Sequence, residues 1–323
     1  MNNFLYYITV ITSFFYIQNI YSQDKIRIGV WEKFDALSLP ESTVYKNDKE
    51  IKNNEDDDKN GYVDDIIGIG FDENETIITE RFEATFQNSK KYDHGTAVAS
   101  IIAKNNQNVL ILGVGFEPTT TRLTATYLYL TVKERLRGFK AELKKMDYFV
   151  QESLLYFAKN KVQIVNICWG LDLDYFASIN KNLGNNDKEI RENSHKWLIH
   201  FREVLEKNMK KYPKIIFVIA AGNEGQNCEK AYDVPALISL PNTIVVGANS
   251  IKGERWEYSN YGETVDVYAP GENIKYQIAL KRWSSGSGTS VAAPYVTKLI
   301  AKKLSDGRSF LEIKKELKKI KNL

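Results

Sequence analysis

Short runs of apolar residues, rich in β-branched side chains, alternate along this chain with longer stretches of helical periodicity. A run that is apolar at every position, rather than at every second one, is typical of a strand buried on both faces of a parallel sheet. The strand-like runs are residues 26–31, 124–130, 162–168, 215–220 and 243–246, and the helical stretches lie near residues 96–104, 133–160, 187–211 and 290–303. The alternation predicts an α/β fold, a three-layer sandwich with a mostly parallel central sheet flanked by helices.

Length and charge limit the classes of protein to which this chain can belong. Its 323 residues, 43% of them hydrophobic, suffice for one large domain with a substantial core. The 44 basic and 41 acidic residues give a net charge of only +3. We therefore expect no nucleic-acid partner, and we interpret the lysine-rich segment 314–319 as the solvated face of a last helix. The sequence leaves the oligomeric state open.

The N-terminus predicts export. Residues 4–17 are mostly apolar but too few to span a bilayer comfortably, and polar residues and the small Ser22 follow them. We therefore predict a signal peptide over residues 1–22 and one domain over residues 23–323, secreted or periplasmic, with no membrane span in the mature form. The segment before the apolar run lacks Lys and Arg, which leaves an uncleaved anchor or a buried strand as alternatives.

A candidate nucleophile lies near the C-terminus. The string Ser-Gly-Thr-Ser-Val-Ala-Ala-Pro at residues 287–294 passes from a glycine-rich loop into an apolar, helix-competent run. Glycine lets a substrate backbone approach Ser290 closely, and a helix N-terminus offers unpaired N–H groups to a developing oxyanion. The alternative is an ordinary helix start made of small residues.

Of the three histidines, only His94 has the context of a catalytic base. It follows a polar, charged loop at the entry of a second small-residue helix, where an imidazole can project into a cleft. His195 and His200 lie in a segment whose apolar residues recur at helical spacing, which predicts an amphipathic helix and a structural role for both.

Asn223 is a candidate oxyanion donor. It follows the strand-like run 215–219 and has glycines on both sides, in the string Gly-Asn-Glu-Gly at residues 222–225. An asparagine at the carboxyl end of a strand can aim its amide N–H at a reaction site. The alternative is a simple turn, in which Asn and Gly are common.

Together these strings resemble the motifs of the subtilisin-like serine peptidases, the subtilase or peptidase S8 family. His94 lies in a His-Gly-Thr motif, Asn223 in Ala-Gly-Asn and Ser290 in Gly-Thr-Ser-x-Ala-Ala-Pro, in the order of the family. Residues 165–170 are similar to the family's substrate-binding strand. The resemblance implies a subtilisin-like fold, His94 as the base, Ser290 as the nucleophile, Asn223 as an oxyanion donor, and polypeptide substrates.

The acid of the expected triad departs from the family. Where the family has aspartate, then Thr or Ser, then Gly, this chain has Glu32 followed by Lys33 and Phe34. Glutamate serves as a triad acid on other folds, but it is one methylene longer, and a misplacement of roughly an ångström can cost about 10²-fold in rate. Asp35 is a second candidate acid, for which we favour the position of a solvated loop carboxylate.

An acidic segment at residues 56–65 is similar to the start of an EF-hand-like calcium loop. Oxygen-bearing side chains alternate before a turn-forming glycine, Gly61, although the twelfth position holds Ile67 instead of glutamate. We predict a structural calcium site here and no catalytic cofactor, and the alternative is a solvated acidic turn. The predicted ligands are Asp56, Asp58, Asn60 and Asp64.

These features predict a secreted serine endopeptidase that works through an acyl-enzyme, with residues 171–212 as an insertion relative to the family. One alternative is a catalytically impaired pseudopeptidase or peptide-binding domain, because Glu32 replaces the usual aspartate. Another is a hydrolase of esters or small amides. The two cysteines, Cys168 and Cys228, form either one disulfide or two separate thiols, and the sequence does not distinguish these states.

Overall fold

The computed structural model describes residues 25–71, 77–78, 94–115 and 132–323. The strands in these ranges are β1 (Ile26–Val30), β2 (Gly68–Phe71), β3 (Ile77–Ile78), β4 (Val109–Gly115), β5 (Ile164–Ile167), β6 (Ile216–Ala220), β7 (Thr243–Asn249), β8 (Val267–Pro270), β9 (Ile274–Ala279) and β10 (Arg282–Gly286). Strands β1 to β8 form one sheet in the order β3-β2-β4-β1-β5-β6-β7-β8. Seven of them are parallel, β3 pairs with β2 in antiparallel fashion, and β9 and β10 form a separate hairpin.

Helices cover both faces of this sheet. They are α1 (His94–Ala103), α2 (Val132–Lys159), α3 (Leu173–Ile179), α4 (Asp187–Met209), α5 (Cys228–Ala231), α6 (Thr289–Ser305) and α7 (Phe310–Ile320), and short 3₁₀ turns occur at Ala36–Ser38, Glu41–Thr43 and Lys181–Leu183. Apolar residues of α1, α6 and α7 belong to the hydrophobic cluster on one face, and those of α2, α3 and α4 to the cluster on the other. The predicted three-layer α/β sandwich is confirmed.

The central strands are apolar throughout because both of their faces are buried. In β6, Val218 and its even-numbered neighbours pack against α6, whereas Phe217 and Ile219 pack on the opposite side. All three of these side chains are completely buried. Burying a side chain of this size contributes about 1.5–3 kcal/mol, which makes such strands a major source of stability.

Four of the five predicted strands and all four predicted helices are present, with ends that differ by a few residues. The fifth predicted strand, residues 124–130, lies outside the described residues. Strand β4 was missing from the sequence prediction although it neighbours β1 in the middle of the sheet. Its two glycines, Gly113 and Gly115, lower its strand propensity, and pairing on both sides overrides that preference.

Residues 171–212, predicted as an insertion, contain α3 and α4 and contribute much of the second helical layer. One face of α4 is buried in the hydrophobic cluster on this side of the sheet, as the helical spacing of its apolar residues predicts. His195 and His200 lie on this helix: the ring of His195 meets Tyr232 edge-on at 4.5 Å, and His200 contacts Glu203 at the surface.

The last helix, α7, buries Ile313 and Leu317 and turns most of its lysines outward, as predicted. Within the described ranges, no helix is long and apolar enough to cross a lipid bilayer. The predicted signal peptide, residues 1–22, lies outside the described residues.

Candidate active site

Four candidate residues lie at one edge of the sheet. Glu32 follows the end of β1, and Asn223 follows the end of β6. His94 is the first residue of α1, and Ser290 is the second residue of α6. Since parallel strands end at the same edge and helices return to the sheet from there, strand ends and helix starts meet at this edge. We call it the active-site edge.

Glu32 and His94 form a direct contact. Glu32 Oε1 lies 2.6 Å from His94 Nδ1, and the glutamate side chain is only 17% exposed. A carboxylate can only accept a hydrogen bond, so Nδ1 carries the proton and Nε2 is left as the basic nitrogen. Glycine follows the histidine because a side chain at Gly95 would collide with the carbonyl of Lys33. The extra methylene of glutamate therefore does not prevent the acid from reaching the imidazole.

The other oxygen of this carboxylate has a different environment. Glu32 Oε2 is buried and has no hydrogen-bond partner among the described residues. The thiol of Cys168 lies in the same region, where it donates to Asn166 Oδ1 at 3.0 Å and approaches the carbonyl oxygen of Ser290 at 3.6 Å. Burial, and to a lesser degree the charge of Glu32, raise the pKa of this thiol well above its ordinary value. Cys168 is therefore a neutral thiol beneath the site.

Asn223 and Ser290 flank the same glycine. A Cβ atom built on Gly288 would lie 3.3 Å from Ser290 Oγ and 3.7 Å from Asn223 Nδ2. Asn223 Oδ1 accepts hydrogen bonds from the backbone N–H of Thr289 at 2.7 Å and from its hydroxyl at 3.0 Å. These bonds use the oxygen of the amide and leave the Nδ2 donors directed to the space beside Ser290. Residues in the first turn of α6 have no intrahelical acceptor for their N–H groups, so the Ser290 N–H supplies a second donor.

Three residues that support this geometry were missing from the predicted site. Thr289 fixes the asparagine, and Cys168 forms part of the floor. Asn260 orders the loop after Asn223, because its Oδ1 accepts from the backbone N–H groups of Glu224 and Gln226, both at 3.0 Å. For Thr289 and Cys168, the sequence indicates only their position. Both lie within strings that resemble family motifs, and nothing in either string indicates the contact that the residue makes.

The second candidate acid, Asp35, has a structural position. Its carboxylate accepts from the backbone N–H of Leu37 at 3.0 Å and from the hydroxyl of Ser38 at 2.6 Å, and so caps the 3₁₀ turn Ala36–Ser38. Its backbone N–H donates to Thr96 Oγ1 at 2.8 Å. Asp35 is buried, so the expectation of a solvated loop acid was wrong.

The predicted calcium ligands make hydrogen bonds to the backbone of their own loop, and the site they would form stays a prediction. Asp56 accepts from the backbone N–H groups of Asn60 and Gly61, at 3.0 and 2.8 Å, and thereby closes a turn. Asp64 accepts from the backbone N–H groups of Asn53 and Asn54. Asp56 and Asp64 therefore use their carboxylate oxygens to cap backbone N–H groups. Of the predicted carboxylates only Asp58 belongs to a cluster of acidic groups, and its neighbours there are Glu50 and Asp65.

Both cysteines are free thiols. Cys228 begins α5 and is fully buried, with its sulfur 3.5 Å from the carbonyl oxygen of Ala221. Of the two possibilities that the sequence left open, the structure has two separate thiols.

Comparison with known proteins finds a matching family profile and similar proteins. The sequence profile described as "Subtilase family" (Peptidase_S8) matches residues 46–316. The major intracellular serine protease of Bacillus subtilis (strain 168) is 28% identical over 208 residues, which are 64% of this chain and 54% of that protein. Subtilisin-like protease 2 of Trichophyton verrucosum is 42% identical over 103 residues, 31% of this chain and 23% of that protein. The chain thus spans about half of the first relative and less than a quarter of the second.

A solved structure shares the fold. The crystal structure of a lanthipeptide protease superimposes with a TM-score of 0.51 at 15% sequence identity, covering 88% of this chain and 75% of that one.

Proposed function

Because this chain belongs to the subtilase family, we propose that it is a secreted serine endopeptidase that hydrolyses peptide bonds of polypeptide substrates through an acyl-enzyme. The observation that carries the proposal is the 2.6 Å contact between Glu32 and His94 at the edge where Ser290 and Asn223 flank Gly288. The predicted signal peptide supports secretion, and it rests on the sequence alone.

His94 would act as the general base and then as the general acid. With Nδ1–H bound to Glu32, His94 Nε2 takes the proton from Ser290 Oγ as that oxygen attacks the substrate carbonyl. The same nitrogen returns the proton to the leaving amine. Glu32 stays ionised, keeps the imidazole in the correct tautomer and stabilises the imidazolium that forms.

Asn223 Nδ2 and the N–H of Ser290 would bind the oxyanion of the tetrahedral intermediate. Such donors are effective because they are fixed before the charge develops, and here Thr289 holds the amide of Asn223 in place. The C-terminal end of β5 and the segment after it would bind the substrate backbone as an added strand.

One observation favours a second function, that of a peptide-binding pseudopeptidase. Glu32 Oε2 is buried without a partner among the described residues, so this carboxylate receives fewer hydrogen bonds than its burial calls for. A carboxylate held in this way positions the imidazole less firmly than one whose two oxygens are both bonded. The pseudopeptidase would bind peptides and leave them intact.

Covalent labelling of the purified protein with a fluorophosphonate probe distinguishes the two functions. The peptidase predicts an adduct on Ser290 that is lost in Ser290→Ala and strongly reduced in His94→Ala. The control is His195→Ala, which removes a histidine outside the active-site edge and should label normally. A folded wild-type protein that is not labelled would favour the binding domain, and labelling that survives in His94→Ala would contradict the proposed base.

A further inference from the structure

Three carboxylates meet in the acidic loop, which we define as residues 46–66. One oxygen from each of Glu50, Asp58 and Asp65 lies within 4.8 Å of the other two. Glu50 is 7% exposed and Asp65 is completely buried. We call these three residues the carboxylate cluster. Two buried acids are seldom placed this close together without a compensating cation.

In the described ranges, no cationic side chain neutralises the carboxylate cluster. Among the described residues, none of the three acids has a Lys, Arg or His nitrogen within 4.0 Å. Glu50 Oε2 is buried and has no hydrogen-bond partner in the described part of the chain, although Oε1 accepts from the backbone N–H of Asp58 at 2.9 Å. The cluster therefore holds more negative charge than its surroundings compensate.

Neutral amides hold the carboxylates in position. Asn47 Nδ2 donates to both Asp58 Oδ2 and Asp65 Oδ1, at 3.1 Å each, and Asn60 Nδ2 donates to Asp65 Oδ1 at 3.0 Å. The backbone N–H of Asn47 also pairs with the carbonyl of Ile66, which ties the two ends of the loop together. The cluster is thus a built arrangement within a closed loop, unlike exposed acids that are close only by chance.

We propose that the carboxylate cluster binds one calcium ion. Calcium takes oxygen ligands at 2.3–2.6 Å, so two ligands of one ion stand at most about 5 Å apart, which the 4.8 Å limit satisfies. Magnesium, with ligands at 2.0–2.1 Å, holds them within about 4.2 Å and prefers to keep several waters. The site differs from the set predicted by EF-hand-like spacing, with which it shares only Asp58. Its role is to brace the loop between Glu32 and His94.

Thermal unfolding of the full chain, with calcium or with EGTA, tests the site. Calcium at a hundredfold excess over its Kd should raise the Tm by about 4–5 °C. Glu50→Gln should abolish most of that shift. The matched control is Asp56→Asn, which removes the same charge from the same loop but outside the cluster, and it should keep the shift. Loss of the shift in Asp56→Asn together with its retention in Glu50→Gln would favour the EF-hand-like ligands and overturn the proposal.

A second measurement covers variants that fold poorly. Terbium is a probe for calcium sites, and Tyr156 lies against Asp65, where it can sensitise terbium emission. The wild type should show terbium emission that calcium abolishes by displacing the bound terbium and that magnesium leaves unchanged. Asp65→Asn should show no such emission. Without any cation, Glu50→Gln should be at least as stable as the wild type, because it removes an uncompensated buried charge. A wild-type protein that shows neither a Tm shift nor terbium emission would refute the site.

A different observation concerns Asp233, which is 3% exposed. Asn260 Nδ2 donates to Asp233 Oδ2 at 2.8 Å and to Glu224 Oε2 at 2.9 Å, so two carboxylates share one amide nitrogen. Burial first, and the charge of Glu224 second, raise the pKa of Asp233 well above its ordinary value. In the described part of the chain no cationic side chain lies within 4.0 Å of either carboxylate.

This acidic pair adjoins the active-site edge. Glu224 Oε2 accepts from the backbone N–H of Asn223 at 2.8 Å. Asp233 Oδ1 accepts no hydrogen bond from the described residues, and a Cβ atom built on the exposed Gly170 would lie 3.2 Å from it. Oδ1 of the buried Asp233 thus lies close to the exposed Gly170. Gly170 follows strand β5, whose end would bind the substrate backbone.

We infer that Asp233 and Glu224 form a subsite for a cationic substrate side chain, Lys or Arg. The inference rests on the proposed function, since it assigns the specificity of that same site. An ammonium or guanidinium group at this position would bind both carboxylates and offset the cost of burying Asp233. Glycine at 170 leaves the opening unobstructed.

Peptide binding to the Ser290→Ala variant tests the subsite whether or not the wild-type protein is active. Peptides that differ only by Arg or the neutral citrulline at one position are titrated against this variant, and the Arg peptide should bind at least tenfold more tightly. The preference for the Arg peptide should disappear in the double variant Ser290→Ala, Asp233→Asn. It should persist in the double variant Ser290→Ala, Glu263→Gln, which changes an exposed acid and serves as the control. Equal affinity for Arg and citrulline at every position would refute the subsite. Absence of fluorophosphonate labelling would instead count against the proposed peptidase and leave this binding result standing.

Discussion

The active-site edge and the acidic loop both bury carboxylates, but they differ in what faces the charge. Glu32 meets an imidazole from a different element of the fold, at 2.6 Å. The carboxylate cluster consists of three acids from one loop, held by amides and by backbone N–H groups. The carboxylate of Glu32 thus has a partner within the protein, the imidazole of His94. The carboxylate cluster would take its partner, a cation, from solution. The two regions should therefore respond to different perturbations, one in catalytic rate and the other in stability.

The largest effect should follow from replacing the acid at the active-site edge. Glu32→Gln keeps the size of the side chain but allows the wrong imidazole tautomer, and the corresponding loss in a serine protease triad is about 10⁴-fold in kcat. Glu32→Asp should lose about 10²-fold, because the shorter side chain no longer reaches Nδ1 from this backbone. Steady-state kinetics on a peptide substrate measure both losses.

The outcome for Glu32→Asp bears directly on the departure from the family. If this variant were more active than the wild type, glutamate would be the weaker acid in this fold and the pseudopeptidase would gain support. Unchanged Tm values in both variants would show that the losses arise from chemistry. Calcium should raise the Tm of each Glu32 variant by the same amount as it raises the Tm of the wild type.

The next largest effect concerns the oxyanion donor. Asn223→Ala should lower kcat by about 10²- to 10³-fold, the range measured for removal of one such donor in subtilisin, with little change in KM. Thr289→Val, which removes the hydroxyl contacts to Asn223 and to the backbone N–H of Gly222, should cost less, since the backbone N–H of Thr289 still holds the amide. Equal losses in the two variants would mean that the asparagine acts through the loop and donates no hydrogen bond to the oxyanion.

Removal of calcium should separate the two regions. EGTA should lower the Tm by about 4–5 °C, and at 20 °C it should leave the kcat of the still-folded protein within about twofold. The measurement pairs unfolding curves with initial rates on the same sample. A proportional loss of rate and of folded fraction at 20 °C would show that the acidic loop is marginally stable without the ion. A large loss of rate without unfolding would mean that the loop controls the geometry of Glu32 and His94.

The two regions also differ in how far the sequence predicts them. His94, Asn223 and Ser290 each depend on a local junction, a helix start or a strand end, and the parallel sheet brings such junctions to one edge. Short strings therefore suffice to identify them. The contact of Glu32 with His94 is less predictable, because it depends on how the chain turns after β1 and on the close approach that Gly95 allows.

The carboxylate cluster has no such local signature. Glu50 and Asp65 are far apart in the loop, and they meet because the backbone of Asn47 pairs with that of Ile66. The alternating aspartates gave a stronger sequence signal, yet Asp56 and Asp64 use their oxygens to cap backbone N–H groups. Spacing identified the acidic loop as a candidate metal site, and only the path of the chain identifies which oxygens face each other.

The smallest effect distinguishes the two acids that follow β1. Asp35→Ala removes a capping carboxylate that accepts from Leu37 and Ser38, and such a loss costs about 0.5–2 kcal/mol of stability. Its Tm should fall by a few degrees, whereas the control Asp48→Ala, at an exposed position, should match the wild type. Activity at 20 °C should stay within about twofold in both variants. A folded Asp35→Ala with a loss comparable to that of Glu32→Gln would make Asp35 the acid that supports His94, and the contact of Glu32 would then be structural.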